Sequence, residues 1–528
     1  MTISNDDRIF LYGPSGSGKS AVGRLLADRL AYQFIDLDQE IETSTGRSIP
    51  EIFSRDGESL FRQIEQSQLA KQIIKPRAVI SLGGGALLND GSRKQVQDAG
   101  VVICLNASID QLINRLQASA EERPLLAGSV SEMRTRLEGL LAKRAGHYGS
   151  FPILLNTTDL TVAQAAQEIQ VRLGLFHIRG MGPEYDVLVK TGGLEDLPAQ
   201  LQLRGLKSPM ALVTDENVGK IYAGRLLENL QKYGYQAELI TIPAGEEHKN
   251  IQTVNSLWES FLKARLERSS TVLALGGGVV TDLAGFAAAT YLRGVKWVAV
   301  STSLLGMVDA SLGGKTGADL PQGKNLIGAF YSPSLVLADP NVLKTLPLAQ
   351  LRSGMAEVVK HSIISDRLLY YDICSRTSNN RDWLQQDSFD AIVRRSVAVK
   401  VKIILEDPYE KGLRQVLNFG HTVGHAVELI SGFRLSHGEA VSIGMVVEAR
   451  LSEKMKLAQP GLSSEIAETL SRLGLPIRIP VDLDRDAILE TVKVDKKRAN
   501  GKVLFALPVN IGDVRPGIEA NIEFGDLF

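Results

Sequence analysis

The sequence contains very little cysteine and almost no net charge. Among 528 residues the only cysteines are Cys104 and Cys374, far apart in the chain. This excludes a disulfide framework and leads us to expect a reducing, cytoplasmic compartment. The formal net charge at pH 7 is −1, so no overall charge attracts the chain to nucleic acid or to an anionic membrane. Any site for an anionic ligand must therefore be built locally.

Long uninterrupted hydrophobic runs are also missing. The first residues, MTISNDDRIFLYG, lack a basic segment followed by an apolar one, so no signal peptide is expected. The most apolar stretch, 272–292, is long enough to span a membrane, but Asp282 and the glycine run Gly276–Gly278 interrupt it. A buried strand, a glycine turn and a helix explain this stretch better. The chain length predicts two or three globular domains.

Apolar and amphipathic segments alternate along the first part of the chain. Helical patterns cover 58–74 and 131–145, and they separate short apolar runs that read as strands. This alternation predicts an α/β domain whose parallel sheet is covered on both faces. The predicted strands are residues 8–12, Ala78–Leu82 and Val101–Leu105.

A second α/β pattern follows an irregular segment. Residues after Gly174 contain two glycines and one proline without periodicity, which predicts a linker. New strands are expected at Tyr185–Lys190, Met210–Thr214 and Gln236–Ile242, and the pattern becomes largely helical after Leu346. The predicted parts are a first domain 1–175, a linker 176–184, an α/β part 185–346 and a helical part 347–528.

The first chemical motif is a phosphate-binding loop. Residues 13–20 fit G-x-x-x-x-G-K-[ST] between a predicted strand and a predicted helix. Such a loop turns backbone N–H groups toward phosphates at the positive end of a helix. Lys19 is expected to reach the β- and γ-phosphates of ATP and Ser20 to bind Mg²⁺. The motif indicates a nucleotide and leaves the reaction open; it consists of Gly13, Pro14, Ser15, Gly16, Ser17, Gly18, Lys19 and Ser20.

Two carboxylates follow the next predicted strand. Asp36 and Asp38 are two residues apart, near the sheet edge where ligands bind in α/β folds. One could organise Mg²⁺ while the other accepts a proton from a hydroxyl group. Capping of the following helix is an equally good explanation from the sequence alone.

Four further motifs follow the loop along the chain, at residues 57–65, 81–85, 123–126 and 143–144. In their order and spacing, these motifs and the loop resemble shikimate kinase over residues 7–174. The resemblance implies phosphoryl transfer from ATP to shikimate, with Lys19 and Asp38 catalytic and Asp36 organising Mg²⁺. A glycine, Gly146, stands where proline is common in that family. The residues implied to hold shikimate are Asp38, Arg62, Gly84 and Arg144, and Arg123 would cover the ATP phosphates from a mobile lid.

Histidines in the second half suggest a metal site. His421 and His425 are four residues apart on a predicted helix, His437 follows, and Glu357 precedes them. Side chains four residues apart share one helix face, so spacing alone favours His421 with His425 as paired ligands. Core histidines without a metal are the alternative.

Glycines and cations suggest two further ligands. The run Gly276–Gly278 follows the apolar segment Thr271–Leu275 and would permit close approach to a pyrophosphate, although it does not fit G-x-G-x-x-G and a plain tight turn is the alternative. Cations in glycine-rich surroundings indicate a cleft for anions, with ordinary surface charge as the alternative. These cations are Lys315, Lys324, Lys400, Arg414, Lys496 and Lys497.

The second half of the chain, roughly residues 184–515, resembles 3-dehydroquinate synthase. The motifs that carry this resemblance are residues 304–309, 313–328, 354–361 and 414–428. The resemblance implies that 3-deoxy-D-arabino-heptulosonate 7-phosphate is converted to 3-dehydroquinate and phosphate, with NAD regenerated in each turnover. It also implies one divalent metal, Zn²⁺ or Co²⁺. It replaces the pairing favoured by spacing, because the implied ligands are Glu357, His421 and His437, while His425 would contact the substrate phosphate.

The resemblance also implies the remaining site residues. Ser301 and Ser303 depart from the proline and threonine usual in the family, but Ser303 keeps a hydroxyl group. Arg293 matches a residue that reaches a neighbouring subunit's site, which implies a homodimer through the second half. Catalytic roles fall to Lys315, Lys360, Arg414 and His425. NAD would be bound by Asp215, Asn217, Glu246, Lys249, Gly277, Gly278, Asp282, Thr302, Ser303, Lys324 and Thr345. The substrate would be bound by Asp309, Lys315, Asn325, Lys360, Lys400, Arg414, His425 and Lys496.

The expectation is thus an α/β P-loop kinase domain followed by an α/β NAD-binding domain and a helical metal-binding domain. The partners expected are small molecules, not nucleic acid or membrane. The main alternative is a P-loop kinase for another small molecule fused to a metal- and NAD-dependent polyol dehydrogenase. Such a dehydrogenase would release NADH and would not need the cation cluster. Another alternative is a degenerate binding module in either half.

Overall fold

The computed structural model describes residues 8–118, 129–379, 383–386, 388–495 and 503–527. The chain forms two compact units, Met1–Leu173 and Gly174–Phe528. Two of the expected site residues, Arg123 and Lys496, lie outside the described residues.

The first unit contains a parallel sheet, as the alternating pattern predicts. Its described strands have the order β2-β3-β1-β4-β5, and every neighbouring pair is parallel. Every residue of β1 and β3 is buried, as expected for strands covered on both faces. The strands are β1 (Ile9–Tyr12), β2 (Gln33–Asp36), β3 (Ala78–Ser81), β4 (Val101–Asn106) and β5 (Ile153–Asn156).

Helices connect these strands. Gly57 bends α3 with a φ of +79°, and the part after the bend carries Arg62. The glycine at position 146 does not interrupt α6, which continues to Gly149. The helices are α1 (Lys19–Leu30), α2 (Leu37–Thr45), α3 (Ile49–Gln72), α4 (Asp90–Ala99), α5 (Ile109–Gln117), α6 (Val130–Gly149) and α7 (Val162–Leu173).

The second unit begins with a seven-stranded sheet of order β6-β7-β14-β11-β10-β8-β9 among the described residues. All pairs are parallel except β6 with β7. The strands are β6 (Leu175–Ile178), β7 (Tyr185–Val189), β8 (Lys207–Asp215), β9 (Ala237–Ile242), β10 (Ser270–Gly276) and β11 (Lys296–Ser301). A hairpin of β12 (Lys315–Leu320) and β13 (Gly323–Phe330) precedes β14 (Leu335–Ala338).

Short and long helices accompany this sheet. The apolar stretch 272–292 forms most of β10 and then α12, as expected. No helix in the described ranges is long and apolar enough to cross a membrane. The helices of this part are α8 (Gly193–Leu203), α9 (Glu216–Val218), α10 (Gly224–Lys232), α11 (Ile251–Lys263) and α12 (Gly278–Thr290).

The rest of the second unit is largely helical, as predicted after Leu346. It ends with an antiparallel hairpin of β15 (Val503–Asn510) and β16 (Asp513–Ala520), which the sequence analysis did not include. The helices are α13 (Leu348–Ser365), α14 (Arg367–Asn379), α15 (Trp383–Gln386), α16 (Asp390–Glu406), α17 (His421–Ile430), α18 (His437–Lys454), α19 (Leu462–Arg472) and α20 (Arg485–Asp495).

The predicted linker 176–184 is wrong in its first residues. Residues 175–178 form the edge strand β6, in which Phe176 and Ile178 are buried and Leu175 lies opposite Leu188. The Nδ1 atom of His177 lies 2.8 Å from the Asp186 Oδ1 atom on the neighbouring strand. The run is only four residues long, and the glycines and proline that follow it hide the strand pattern.

We expect a fragment that starts at Gly174 to resist urea better than one that starts at Gly180. The shorter fragment lacks the buried side chains of β6, and each large apolar side chain contributes about 1.5–3 kcal/mol when it leaves water. Urea titrations followed by circular dichroism would give the two unfolding midpoints. Equal midpoints would show that β6 does not stabilise the second unit.

Candidate active sites

The phosphate-binding loop connects β1 to α1. Gly13, Gly16 and Gly18 have φ values of +132°, +81° and +93°, which other L-residues rarely adopt. A Cβ atom at Gly13 would also lie 2.0 Å from the Leu105 carbonyl oxygen. The Nζ atom of Lys19 donates to the Gly13 carbonyl oxygen at 2.9 Å. The loop has the geometry of a phosphate cradle; its other members are Pro14, Ser15 and Ser17.

The two carboxylates expected near Mg²⁺ lie beside this loop. The Ser20 hydroxyl donates to Asp36 Oδ2 at 2.6 Å. The other Asp36 oxygen accepts from the backbone N–H of Asp38 at 3.2 Å and caps α2. Asp36 can therefore cap α2 and also lie beside Ser20, because the two oxygens of its carboxylate face different partners.

A cavity of about 740 Å³ opens next to the loop. It is large enough for a small polar substrate. It collects most of the residues that the sequence analysis assigned to shikimate and Mg²⁺. Its lining includes Asp36, Asp38, Arg62, Gly84 and Arg144.

Glu65 belongs to this cavity although the sequence analysis missed it. Its side chain is buried, and its Oε2 atom lies 2.6 Å from Arg62 Nη1. Burial raises the pKa of Glu65, while Arg62 opposes this shift. A Cβ atom at Gly83 would lie 2.7 Å from Glu65 Oε1 and 3.3 Å from Asp38 Oδ1. The carboxylates of Glu65 and Asp38 therefore both lie next to Gly83. In the sequence, the only signal for Glu65 was its three-residue spacing from Arg62 on a helix.

The carbonyl oxygen of Gly84 ties α6 to the end of β1. It accepts from Arg144 Nη1 at 3.0 Å, from the Tyr148 hydroxyl at 2.7 Å and from the Tyr12 hydroxyl at 3.3 Å. The Tyr12 hydroxyl also lies 3.1 Å from His147 Nε2. Arg144 is held at the cavity by this contact. The sequence gives no signal for Tyr12, His147 and Tyr148, because they come together from distant segments.

In the second unit, the residues expected to bind NAD follow the carboxyl ends of parallel strands, the edge where ligands bind in such sheets. Asp215 ends β8 and caps α9 by accepting from the Asn217 N–H at 2.8 Å. Gly277 follows β10 and is the N-cap of α12, which begins at Gly278. After the ends of β9, β11 and β14 come Glu246, Thr302, Ser303 and Thr345.

The N-terminal end of α12 fits the pyrophosphate of NAD. A Cβ atom at Gly277 would lie 3.1 Å from Ser303 Oγ, so a residue without a side chain keeps the approach to the helix end open. The Ser303 Oγ atom also accepts from the Gly306 N–H at 3.1 Å. The hydroxyl expected at position 303 is therefore present beside Gly277.

Lys249 joins residues expected at NAD to one expected at the substrate. Its Nζ atom donates to Asp282 Oδ2 at 2.5 Å and to Asn325 Oδ1 at 2.6 Å. Asn325 has a φ of +56°, and its N–H donates to Asp319 Oδ1 at 2.7 Å. The hydrogen bond to Asp319 holds Asn325 in a backbone conformation that non-glycine residues rarely adopt. The structure thus places these parts of the predicted site together.

The three ligands implied by the resemblance converge from three helices. Glu357 lies within α13, while His421 and His437 begin α17 and α18. Both histidine Nε2 atoms lie 3.5 Å from the same Glu357 oxygen, Oε1. Glu357 is fully buried; its Oε2 atom forms an ion pair with Lys360, and its Oε1 atom faces the two histidines. This donor set fits a divalent cation that keeps open positions for a substrate.

A second possible ligand group shares His437 with the first. It consists of His425, Glu428 and His437, but Glu428 is already paired with Lys324 at 2.9 Å.

Burial alone would lower the pKa of His437, yet the nearby carboxylates raise it to about 9. Burial and Lys360 lower the pKa of His421 well below its ordinary value, so its imidazole is neutral and able to bind a metal.

Two of the cations expected at the substrate, Lys360 and Lys400, pair with carboxylates of the cluster around Glu357. Lys360 forms an ion pair with Glu357, and Lys400 Nζ lies 2.6 Å from Asp309 Oδ1. Burial opposes the ionised form of Asp309, but Lys400 lowers its pKa below the ordinary range. His361 completes a third possible ligand group with Asp309 and Glu357. Because Lys400 already neutralises Asp309, this group is the weaker match to a metal.

The remaining substrate cations have protein partners that the sequence analysis missed. Lys315 Nζ lies 2.6 Å from Glu410 Oε2, and the buried Arg414 donates to the Pro408 carbonyl oxygen at 2.5 Å. Glu410 and Glu428 are separated in sequence from the lysines they pair with, so no spacing signal revealed them.

Arg293 lies at the end of α12 opposite Gly277. It is exposed, has a φ of +67° and follows the C-terminal end of α12, whereas Gly277 caps the other end. The 13 residues of α12 separate its ends by about 20 Å at 1.5 Å per residue. Arg293 is therefore far from the glycines expected at the NAD pyrophosphate.

Models of two protein families match the chain. The shikimate kinase model matches residues 15–173. The 3-dehydroquinate synthase N-terminal model matches residues 239–353, and the C-terminal model matches residues 354–498.

A curated 3-dehydroquinate synthase from Synechococcus is 44% identical over 334 residues, which cover 62% of this chain and 91% of the relative. A 2-deoxy-scyllo-inosose synthase, solved with carbaglucose-6-phosphate, NAD⁺ and Co²⁺, is 25% identical with a TM-score of 0.59; the match covers 67% of this chain and 97% of that one. A 2-epi-5-epi-valiolone synthase from Streptomyces hygroscopicus, with NAD⁺ and Zn²⁺ bound, is 30% identical with a TM-score of 0.59, over 65% of this chain and 94% of that one. The chain therefore belongs to the 3-dehydroquinate synthase family and carries, before that unit, a unit of the shikimate kinase family.

Proposed function

We propose that the chain catalyses two reactions of chorismate biosynthesis, one in each unit. The first unit phosphorylates shikimate with ATP. The second converts 3-deoxy-D-arabino-heptulosonate 7-phosphate to 3-dehydroquinate and phosphate. The convergence of Glu357, His421 and His437 beside buried cations supports the second reaction most directly, because a substrate with a carboxylate and a phosphate needs such cations in a chain of almost no net charge.

In the first unit, the residues divide between the two substrates. The loop and Lys19 bind the ATP phosphates, and Ser20 with Asp36 holds the Mg²⁺ that accompanies ATP. Arg62 and Arg144 bind the shikimate carboxylate by charge-assisted hydrogen bonds. Asp38 accepts the proton of the attacking hydroxyl group.

In the second unit, the residues hold the substrate between two bound groups. A bound divalent cation supplies Lewis acidity, and bound NAD supplies a reversible hydride acceptor. Glu357, His421 and His437 would hold the cation, and the N-terminal end of α12 would hold the NAD pyrophosphate. Lys360, Arg414 and His425 bind and orient the anionic groups of the substrate, together with Asp309, Lys315, Asn325 and Lys400.

The second unit also works as a homodimer in this proposal. Arg293 is exposed at the far end of α12 and completes the site of a partner subunit.

Both cysteines are free, which supports a reducing, cytoplasmic location.

Asp38→Asn should lower the turnover of the kinase by roughly 10²–10⁴, because it removes the proton acceptor and keeps the volume. Binding of an ATP analogue, measured by calorimetry, should not change. Asp56→Asn is the matched control, since Asp56 pairs with Arg47 at 2.6 Å and is not part of the proposed site. Turnover within a few-fold of the parent chain in Asp38→Asn would reject the role of Asp38.

His437→Ala should release the metal and abolish synthase activity. His425→Ala should keep the metal and weaken only the handling of the substrate phosphate. Elemental analysis of the two purified variants measures the metal content, circular dichroism reports that the second unit is folded, and unchanged kinase activity reports that the first unit is intact. A His425 variant without metal, beside a His437 variant that keeps it, would restore the pair of ligands favoured by spacing.

A mixture of Arg293→Ala and His437→Ala chains should recover synthase activity that neither variant has alone. In a mixed dimer, one site receives both intact residues, so random exchange of subunits restores roughly a quarter of all sites. The rate is measured after the subunits have been exchanged in mild denaturant. No recovery in mixtures that contain dimers would mean that Arg293 does not act in the partner's site.

A further inference from the structure

Glu448 is a fully buried carboxylate in α18. Its Oε2 atom accepts from the backbone N–H of Gly420 at 2.6 Å, and its Oε1 atom accepts from the N–H of Val423 at 3.1 Å. Gly420 is the N-cap of α17, and Val423 lies in its first turn. The first N–H groups of a helix have no partner within the helix, and its N-terminal end favours negative charge. Glu448 therefore fastens the start of α17 to α18.

The two helices approach closely at this point. A Cβ atom at Gly444 would lie 1.9 Å from the Gly420 carbonyl oxygen, and one at Gly424 would lie 3.0 Å from the Ala440 carbonyl oxygen. The early residues of α17 thus meet later residues of α18, so the helices run antiparallel. Glu448 closes this contact with two hydrogen bonds and sets how far α17 is displaced along α18.

The same two helices carry two of the three metal ligands. His421 follows Gly420 directly, and His437 is the first residue of α18. Both Nε2 atoms lie 3.5 Å from one Glu357 oxygen. A displacement of α17 by one turn, about 5.4 Å, would separate the imidazoles and destroy this convergence.

We propose that Glu448 is a positioning residue for the metal site. Its carboxylate fixes the register of α17 against α18 and so keeps His421 and His437 within reach of one cation beside Glu357. This inference rests on the proposed function, in which Glu357, His421 and His437 bind the metal.

Glu453 provides a matched control on the same helix. Its Oε1 atom accepts from the N–H groups of Gly461 and Ser463 at 3.0 and 2.7 Å. These residues start α19, which carries none of the three ligands. Glu448 and Glu453 thus share one kind of contact, a carboxylate on α18 that binds the N-terminal end of a neighbouring helix. They differ in whether that helix carries a metal ligand.

The test compares Glu448→Gln with Glu453→Gln in the full chain. Each purified protein is loaded with Zn²⁺, freed of excess ion and mixed with a chromogenic chelator to follow metal release. A glutamine at 448 places an NH₂ group against one of the two N–H groups and removes the charge. Loss of partners that orient metal ligands typically weakens metal affinity by about 10–100-fold, so release from Glu448→Gln should be faster by that factor. Release from Glu453→Gln should match the parent chain.

The other outcomes are equally decisive. Release at the parent rate from Glu448→Gln, or equal acceleration in both variants, would overturn the inference and leave the metal site itself in place. If Glu448→Gln does not fold, Glu448→Asp carries the test, because it keeps the charge but shortens the reach, and parental release from it would again overturn the inference. A parent chain that binds no Zn²⁺ would instead reject the proposed function.

Discussion

The buried carboxylate of Glu357 is the constraint on which the second site depends. A carboxylate with no exposure to water is costly unless charges or a metal compensate it. Lys360 pairs with it, and His421 and His437 bring their imidazoles to the same oxygen. These partners come from three helices, which must meet closely. Gly438 permits this for α13 and α18, since a Cβ atom there would lie 2.1 Å from the Ser353 carbonyl oxygen.

The site of the first unit is held together by a different set of contacts. Its site needs no permanently buried charge cluster, because the metal arrives with ATP. The part of the site that must be held in place is the proposed shikimate-binding side. Three hydrogen-bond donors on the Gly84 carbonyl oxygen hold it there. Both units place the glycines that we propose to bind a nucleotide after a strand of a parallel sheet and before a helix. The positive end of that helix and the open carboxyl edge of the sheet explain why two unrelated reactions use the same kind of location.

Local features of both units could be predicted from the sequence, and long-range ones could not. The phosphate loop, the alternation of strands and helices and the glycine turn before α12 are written in consecutive residues. The linker prediction failed at β6 because a strand of four residues, three of them apolar, gives too short a pattern before the glycines. Spacing also favoured His421 with His425, since residues on one helix face are near each other in any helix. The contact of Glu357 with His421 depends on packing between distant segments, and only the family resemblance indicated it. Glu65 left only its spacing from Arg62 as a signal and Glu448 left none, because a buried carboxylate looks like any other acidic residue in a sequence.

In the proposed reaction the second unit uses NAD as a catalyst and does not consume it. The most direct test follows phosphate release from 3-deoxy-D-arabino-heptulosonate 7-phosphate with NAD supplied in an amount far below that of the sugar. Absorbance of NADH is recorded in the same sample. We expect complete phosphate release without accumulation of NADH, and loss of the reaction when the metal is removed by a chelator. Formation of one NADH per substrate, with no phosphate released, would show that NAD is consumed and would indicate a polyol dehydrogenase.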